Sequence, residues 1–357
     1  MPTIDLYSAP DFIPQIAGQK TFQHPEKAAS IRVISDGTAG MRLQALALGE
    51  AIKASRVPPT NLEDIITTPP PLLRHLPRLA KCLPLSWLRV MVGPKLAALS
   101  ISHPTIIITC GRRMAGLSIA MRRLGRTSAI AGKTQTIHIQ DPRLPPQYFD
   151  ILIVPQHDPT RGSNVVSSMG SLHQLTDAKI VHAATALDPK WTSLPSPCIA
   201  VLLGGDNQRY VVSTEMIENM AEKLQRFAAS TRASLALIPS RRTPSALLSR
   251  LTESLKTTPH AVMNSRDKNP YPGILGHAFA IIVTSDSINM ASEAAVTGKP
   301  VLIAEWQAEK GRVAAFHKAM MKAGHTAPLG TNIPKTSFIP LFEMPFILRR
   351  VKDLLVR

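Results

Sequence analysis

Polar residues that could bind a ligand or take part in a reaction follow an apolar run in the stretch FAIIVTSDSINMASEAAVTGKPVLI. The apolar run predicts a strand ending at Thr284, and Ser285, Asp286 and Ser287 lead from it into a predicted helix. Ligands of open α/β sheets lie at the carboxyl ends of strands, and a helix N-terminus favours a phosphate. Glu293, two turns into the helix, carries a carboxylate that could hold a ribose diol. Ser and Asp are also common helix caps, so a structural role for this loop stays open.

A second cluster combines a glycine turn with two arginines. Gly204, Gly205 and Asp206 follow one predicted strand, and Arg241 and Arg242 follow the next. Glycine lets a ligand approach the backbone closely, and an arginine can bind a phosphate group through two hydrogen bonds. A Gly-Gly pair alone is equally typical of an ordinary tight turn. Together with the arginines and the helix carboxylate, the pair predicts a binding site for the diphosphate of a nucleotide-sugar.

Similar polar turns follow predicted strands in the first half of the chain. The arginine pair in this half stands at a helix start, where positive charge opposes the helix dipole, and this favours a functional role. Since parallel strands end at the same edge of a sheet, we expect these turns to gather there. The residues predicted to bind an acceptor or a phosphate are Ser35, Gly37, Arg112, Arg113 and Asp141.

The candidates for a catalytic base also follow strands of the first half. They are Asp36, His157 and His173, with Asp158 beside the first histidine. A histidine titrates near neutral pH and could deprotonate a hydroxyl group. A lone loop histidine is more often a hydrogen-bonded structural residue, and Asp36 equally fits the cap of a tight turn. Both interpretations stay open.

Several other kinds of site are not predicted. The sequence contains no HExxH motif and no Cys/His set with metal-ligand spacing, so we expect no metal site. It lacks the GxSxG motif of serine hydrolases and the GxGxxG motif of dinucleotide enzymes. Cys82, Cys110 and Cys198 are widely spaced, which predicts reduced cysteines and no disulfide. We therefore expect neither a metal nor a separate cofactor.

Two series of strand, polar turn and helix position these residues, which predicts an α/β protein with two Rossmann-like domains. A Pro- and Ser-rich stretch, WTSLPSP, separates the two series as a linker. The predicted organisation is a loosely ordered lead-in (1–30), a first domain on the acceptor side (31–195), a nucleotide-binding second domain (196–340) and a C-terminal amphipathic helix (341–357).

The charge is strongly positive and unevenly spread. The chain carries 41 Lys and Arg against 24 Asp and Glu, and no acidic residue lies between Asp64 and Asp141. Such a surface attracts nucleotides or an anionic membrane. The proline-rich segment 68–95 mixes apolar and basic residues, which suits a membrane interface, although an insertion packed on the domain explains it as well.

Partners and location follow from the same composition. Aromatic residues make up 4% of the chain, so we do not expect nucleic-acid binding. Neither a secretory signal nor an apolar run of membrane-spanning length is visible, which predicts a cytoplasmic protein, with peripheral attachment to the inner face of the membrane as an option. The oligomeric state stays open.

The sequence also resembles a known family. The segments SDGTAGMRLQ, CGRR, IQDPR, FDILIVPQHD, GSNVVSSMGSLH, VLLGGDNQRY, PSRRTP, NPYPGILGHA and TSDSINMASEAAVTGKPV occur in order between Ser35 and Val301. They resemble the mitochondrial fission Elm family, whose bacterial members are commonly labelled predicted nucleoside-diphosphate-sugar epimerases. The last segment is also similar to the donor-nucleotide segment of GT-B glycosyltransferases and nucleotide-sugar 2-epimerases.

This resemblance implies a GT-B-like arrangement, with two Rossmann-like domains facing a cleft and a final helix that crosses back to the first domain. It implies that the glycine turn meets the donor diphosphate, that Glu293 holds the ribose, and that the first domain binds the acceptor. The implied function is transfer of a sugar from a nucleotide-sugar to an acceptor. A 2-epimerase is one alternative, and a non-enzymatic adaptor at a membrane surface is another.

Overall fold

A computed structural model describes residues 30–56, 60–101, 105–127, 134–264, 267 and 269–355 of the chain. Almost all of the predicted lead-in lies outside these residues. The described chain forms two units, each built around a parallel sheet of six strands. The predicted α/β class is therefore confirmed.

The first unit follows the predicted alternation of strands and helices. Its elements are β1 (Ser30–Ser35), α1 (Ala39–Ala54), β2 (Leu62–Ile66), α2 (Pro71–His75), α3 (Leu79–Cys82), α4 (Leu85–Val92), α5 (Pro94–Ile101), β3 (Thr105–Cys110), α6 (Ala115–Gly125), β4 (Gln135–Ile139), β5 (Ile151–Pro155) and β6 (Val165–Ser168). The strand order is β2-β1-β3-β4-β5-β6. Strand β3 is buried at every position, as expected for an interior strand covered on both faces.

The second unit repeats this design after two connecting helices. The elements that follow β6 along the chain are α7 (Asp177–Thr185), α8 (Pro189–Thr192), β7 (Cys198–Leu203), α9 (Thr214–Thr231), β8 (Ser234–Pro239), α10 (Ser245–Ser254), β9 (His260–Val262), α11 (Tyr271–His277), β10 (Ala280–Thr284), α12 (Ile288–Ala295), β11 (Val301–Ala304), α13 (Gly311–Lys322), β12 (Ala327–Pro328) and α14 (Met344–Leu355). The strand order is β12-β11-β10-β7-β8-β9. The fully buried strand β10 carries the loop with Ser285 and Asp286 at its carboxyl end.

The chain crosses between the units twice. Helix α14 returns to the first unit, where Ile347 and Val351 are fully buried in the same core as Ile31 and Val33. This confirms the predicted crossing helix. In the other direction, α7 packs against α11, and Trp191 lies in the core of the second unit. The packing therefore passes to the second unit already at α7, and Trp191, the first residue of the Pro- and Ser-rich stretch, continues it.

The proline-rich segment forms the short helices α2 to α5, which pack on α6. Proline lacks a backbone donor and its ring obstructs a continuous helix, so the segment breaks where the prolines stand.

Lys299, which belongs to the GKP sequence after α12, donates to the carbonyls of Leu275 (3.1 Å) and Ala278 (2.6 Å). It thereby supplies hydrogen-bond donors to backbone carbonyl groups at the C-terminal end of α11. Among the described residues, no helix has the length and apolar composition needed to cross a bilayer.

Candidate functional site

The centre of the candidate site is the buried carboxylate of Asp286. The Thr284 hydroxyl accepts from the backbone N–H of Gly204 (2.7 Å) and donates to Asp286 Oδ1 (2.7 Å). Arg242 Nη2 lies 2.6 Å from Asp286 Oδ2, and the carboxylate is fully buried. A buried carboxylate is tolerated when it is paired and hydrogen-bonded. Asp286 therefore joins the ends of β7, β8 and β10 into one polar network.

The glycine turn is explained by contacts inside this network. A Cβ atom built on Gly204 would lie 2.0 Å from Asp286 Oδ2, and one on Gly205 would lie 2.1 Å from the Arg242 carbonyl oxygen. Any side chain at either position would overlap these atoms. The close approach that the sequence assigned to a ligand is therefore made by the protein itself. The sequence could not reveal this contact, because Gly204 and Asp286 are 82 positions apart along the chain and meet only at the sheet edge.

The two arginines of the β8 loop have different environments. Arg242 is bound to Asp286, and its backbone carbonyl accepts from Asp206 N–H (3.2 Å). Asp206 itself accepts from Val212 N–H (2.9 Å), so its carboxylate holds the loop together. Arg241 is exposed and forms no ion pair with any residue that the structure describes. Arg241 is thus the member of the pair that is available to an anion.

The loop before α12 is held by its own hydrogen bonds. The Ser287 hydroxyl accepts from Met290 N–H (3.3 Å), which is the capping role that the sequence left open. The Ser285 hydroxyl donates to Glu309 Oε1 (3.1 Å), and the Ser285 carbonyl accepts from His317 Nε2 (2.7 Å). The loop therefore enters α12 in a fixed conformation.

Glu309 is a site residue that sequence reasoning missed. Its carboxylate, only 3% exposed, accepts from the Tyr210 hydroxyl (2.9 Å) and lies 3.3 Å from Arg209 Nε. Arg209 also donates to the Asp286 carbonyl (3.3 Å). Burial and the nearby carboxylate raise the pKa of Tyr210. No local pattern reveals this cluster, because Tyr210 and Glu309 are 99 residues apart and meet only through the sheet.

Glu293, the predicted ribose ligand, is half-buried and already has a partner. The Tyr271 hydroxyl donates to Glu293 Oε2 at 2.7 Å. Burial raises the pKa of both side chains. On α12 the carboxylate follows Asn289 by one turn, on the side of the helix that faces the first unit. Tyr271 lies in the NPYPGILGHA segment but had not been assigned a role.

In the first unit, the loop after β1 forms a compact turn. Asp36 accepts from Thr38 N–H (3.0 Å), and its other oxygen lies 3.9 Å from Arg113 Nη1. Gly37 has φ of +80°, a conformation that favours glycine. Ser35, also predicted to bind a ligand, is fully buried beneath this turn. The neighbouring arginine of the CGRR turn, at 112, is exposed and forms no ion pair among the described residues.

The histidine candidates do not form one catalytic group. His157 lies at the carboxyl end of β5, with its ring centroid 5.8 Å from that of Phe316 in the second unit. His173 instead borders a cavity of about 370 Å³ lined by Ala54 and Ser55 at the far end of α1. Asp36 precedes the near end of α1, so the helix, at about 1.5 Å per residue, separates His173 from it. The structure therefore does not bring His173 to the other candidates.

Burial lowers the pKa of both histidines, for His173 to about 4. The lowered pKa keeps both rings neutral near pH 7 and makes each a weaker base. Asp141 is 3% exposed and accepts from Arg143 N–H (2.7 Å), so its carboxylate stabilises its own turn. Its neighbour Gln140 has φ of +74°, which marks a constrained backbone at this sheet edge.

The carboxyl edges of the two sheets face each other at the junction between the units. At the start of α12, Asn289 Oδ1 accepts from Gln44 Nε2 of α1 (3.4 Å), and its amide lies against Gly40. Further along the junction, Asp158 of the first unit forms an ion pair with Arg312 of the second. The N-terminal ends of α1 and α12 thus approach the junction from opposite sides.

The side of the junction next to the crossing helix is also hydrogen-bonded. Ser171 N–H donates to the Ser292 hydroxyl (2.9 Å), and Gly170 N–H donates to the Glu343 carboxylate (2.8 Å). Burial raises the pKa of Glu343, which stands just before the crossing helix. Within the described ranges, no group of three or more His, Cys, Asp or Glu side chains could hold a metal ion.

Comparison with protein families gives a match to the model described as Mitochondrial fission ELM1, over residues 39–355. One similar curated protein is Mitochondrial fission protein ELM1 of Arabidopsis thaliana, 28% identical over 62% of this chain and 56% of its own length. Another is Uncharacterized protein RP120 of Rickettsia prowazekii (strain Madrid E), 27% identical over 56% of this chain and 64% of its own length. The chain thus spans less than two thirds of the length of either relative.

Solved structures with the same fold have little sequence identity to this chain. UDP-GlcNAc 2-epimerase from Methanocaldococcus jannaschii has a TM-score of 0.51 at 11% identity, over 92% of this chain and 93% of that one. The S. aureus MnaA-UDP co-structure has a TM-score of 0.50 at 13% identity, over 92% and 88%. Together with the two parallel sheets and the crossing helix, these matches confirm the GT-B-like fold.

Proposed function

The chain belongs to the mitochondrial fission ELM1 family, and we propose that it binds a nucleotide-sugar at the junction of its two units and transfers the sugar to an acceptor. In this proposal the second unit holds the nucleotide and the first unit holds the acceptor. The two proteins with the same fold support the choice of ligand, since one is a UDP-GlcNAc 2-epimerase and the other is a complex with UDP.

One observation carries the proposal: three arginines meet at the carboxyl edge of the second sheet, and the protein does not fully use any of them. Arg209 and Arg242 are paired with the buried carboxylates of Glu309 and Asp286, and Arg241 forms no ion pair with any described residue. The side chains of Arg209 and Arg242 remain 38% and 39% exposed while they hold these carboxylates. A diphosphate would find preorganised donors there without displacing an ion pair. The N-terminus of α12 adds backbone donors and the positive end of a helix dipole.

The remaining groups fit the other parts of such a substrate. Glu293 would accept from ribose hydroxyl groups, in place of or beside the Tyr271 hydroxyl. His157, neutral near pH 7 and close to the junction, would take the proton from an attacking acceptor hydroxyl. Arg112, exposed on the first unit, would bind a negative group of the acceptor.

Ligand binding is tested first by a thermal-shift screen against UDP-, GDP-, ADP- and CMP-sugars. A ligand that binds only the folded protein raises its unfolding temperature as its concentration increases. Variants Arg241→Gln and Arg242→Gln should reduce the shift, whereas Arg226→Gln, an exposed α9 residue remote in sequence from these loops, should not. If no nucleotide-sugar shifts the transition at any concentration, the proposal fails.

The alternative of a 2-epimerase is favoured by the M. jannaschii structure, which is that of such an enzyme. The two activities are distinguished by incubating the protein with the nucleotide-sugar alone and following the sugar by NMR. A new sugar epimer without an acceptor identifies an epimerase. Release of nucleoside diphosphate only when an acceptor is present identifies a transferase. Ligand binding with neither reaction would favour the non-enzymatic adaptor.

A further inference from the structure

Helices α2 to α5 carry an outer surface that is both apolar and basic, which we call the α2–α5 face. Its exposed apolar side chains are Leu72 (40%), Leu76 (55%), Trp87 (62%) and Val90 (80%). Its exposed basic side chains are Arg78, Lys81, Arg89 and Lys95. Large exposed apolar side chains among basic residues are typical of proteins that bind at a membrane interface.

The opposite surface of these helices is fully used in packing. Leu73, Ala80 and Leu88 are completely buried in the core shared with α6. Arg123 of α6 donates to the carbonyls of Ala80 (2.9 Å) and Leu83 (2.6 Å). The sequence left open whether the segment packs on the domain or meets a membrane. The structure shows that the helices pack through one side, which leaves the other side for a partner.

The geometry of α4 separates these two roles. Leu88 and Val92 are one turn apart and buried, at 0% and 7% exposure. Trp87 and Val90 are three residues apart, so they are neighbours on the outer side of the same helix. An exposed tryptophan next to an exposed valine adds no buried apolar surface to the core, so core packing does not explain this pair.

The charge of the α2–α5 face is not neutralised by the protein. The sequence has no Asp or Glu between Asp64 and Asp141. Arg78, Arg89 and Lys95 form no ion pair with any described residue. By contrast, Arg122 of α6 and Arg126, directly after the helix, are both paired with Asp150. The long basic side chains of the face can reach an anionic surface while the apolar ones enter it.

We propose that the α2–α5 face docks on an anionic lipid bilayer. Each basic residue near such a surface adds attraction, and an amphipathic tryptophan settles at the level of the headgroups. Nucleic acid fits less well, because Trp87 is the only aromatic side chain on α2 to α5 and stacking needs several such rings. The docking is independent of the proposed transfer reaction.

The face also adjoins the candidate site. Helix α2 contacts the turn that contains Arg112, and a Cβ atom built on Gly116 of α6 would lie 2.2 Å from the Leu73 carbonyl oxygen. The helix therefore lies directly on the start of α6, at the carboxyl edge of the first sheet. Docking would bring this edge of the junction close to the bilayer.

The proposal is tested by sedimentation with vesicles of phosphatidylcholine alone and of phosphatidylcholine mixed with phosphatidylglycerol. The full-length protein should bind the anionic vesicles and dissociate as salt rises, since exposed charges are screened within about 10 Å at 0.1 M ionic strength. Arg89→Gln with Lys95→Gln should weaken binding roughly thirtyfold, the loss of two surface attractions. Trp87→Ser with Val90→Ser should weaken it roughly tenfold or more.

Matched variants elsewhere control for general changes in charge and hydrophobicity. Lys318→Gln with Lys322→Gln removes two exposed charges from α13, and Val181→Ser with Val211→Ser removes two valines that are 62% and 71% exposed. Both controls should bind vesicles as the unmodified protein does. The proposal would be overturned if the control variants lost as much vesicle binding as the variants of the α2–α5 face. It would also be overturned if equal amounts of protein sedimented with neutral and anionic vesicles at low salt.

Tryptophan fluorescence gives a second, site-specific measurement. The chain has three tryptophans, and Trp191 and Trp306 are only 1% and 6% exposed. Brominated lipid in the anionic vesicles should therefore quench mainly Trp87, and Trp87→Phe should abolish the effect. Binding without any quenching would mean that another surface meets the lipid, and the assignment of the α2–α5 face would be wrong.

Discussion

The hydroxyl of Tyr271 donates a hydrogen bond to Oε2 of Glu293, 2.7 Å away, from the start of α11 to the end of α12. Burial raises the pKa of both groups. If Glu293 binds ribose, the sugar must either use Oε1 or displace the tyrosine. This contact links the candidate ligand position to the packing of α11 on α7.

Glu293→Ala should weaken nucleotide-sugar binding by about 1–3 kcal/mol, the usual loss of a charged hydrogen-bond partner. The fold should survive with a lower unfolding temperature, since Tyr271 loses its acceptor. Calorimetry on the purified variant measures the affinity, and Glu222→Ala, exposed on α9, is the control. An unchanged affinity in a protein that still melts cooperatively would remove the ribose role from Glu293.

Gly205→Ala should destabilise the second unit, because its Cβ atom would overlap the Arg242 backbone carbonyl at 2.1 Å. Overpacking of this kind typically costs about 1–3 kcal/mol, and here it also displaces the ion pair with Asp286. Gly330→Ala is the matched control, since nothing lies within 4 Å of the added atom. Denaturant unfolding compares the two. Equal stability of both variants would show that the turn adjusts freely and that the glycine serves something other than packing.

The sequence was sufficient to predict the alternation of strands and helices because the buried strands are continuous apolar runs, such as AIIVT in β10, and polar turns follow them. It also predicted the crossing helix, through resemblance to a known family. What it did not supply were contacts between loops that are distant along the chain. Tyr210 with Glu309, Tyr271 with Glu293, and Gly204 with Asp286 all depend on how the sheet brings strand ends together.

Residue type alone also left the role of individual side chains open. Asp206 and Asp141 looked like ligand-binding carboxylates, yet each accepts a backbone N–H within its own loop. Lys299, directly after Gly298 at the end of α12, donates to carbonyls at the end of α11. Asp, Ser and Lys serve backbone groups and ligands with the same atoms, so only the geometry separates the two uses.

Arg312→Gln should open the junction in the absence of ligand, since Arg312 forms the ion pair with Asp158 between the units. Asp158 is 3% exposed, and its carboxylate would lose its charged partner. Small-angle scattering should show a larger radius of gyration for this variant, and saturating nucleotide-sugar should restore compaction. Lys322→Gln, on the same helix, should leave the dimensions unchanged. An identical scattering curve for Arg312→Gln would show that the ion pair does not hold the units together.

His138→Gln should reduce the loss of unfolding free energy that occurs as the pH falls below about 6.5. His138 is fully buried against Phe149, and burial lowers its pKa from 6.5 to about 3. The unfolded chain therefore binds the proton more readily than the folded protein, so the stability present above pH 6.5 is lost as pH falls. Between about pH 6 and 4 this residue should remove roughly 1.4 kcal/mol per pH unit. Unfolding of both proteins across this range measures the difference, and parallel curves would contradict it.

The crossing helix supplies the last prediction. Cutting the chain before Phe342 should loosen the pairing of the units and abolish sugar transfer. The structure adds a direct cost to the first unit, because Ile347 and Val351 of α14 are fully buried in its core. The truncated chain should therefore lose first-unit stability as well as closure, and a point substitution separates these effects more cleanly.

Ile347→Ala leaves the chain intact but creates a cavity in the first-unit core where α14 packs on α1 and β6, and should cost about 2–5 kcal/mol of unfolding free energy. Phe346→Ala, at a neighbouring position that is 39% exposed, should change stability by only about 0.5 kcal/mol or less. Proteolysis of Ile347→Ala should begin in the first unit and leave the second unit protected, since the core of the second unit does not include this side chain. If both variants unfold alike, or if cleavage begins in the second unit, α14 is not part of the first core and the crossing helix acts only as a tether.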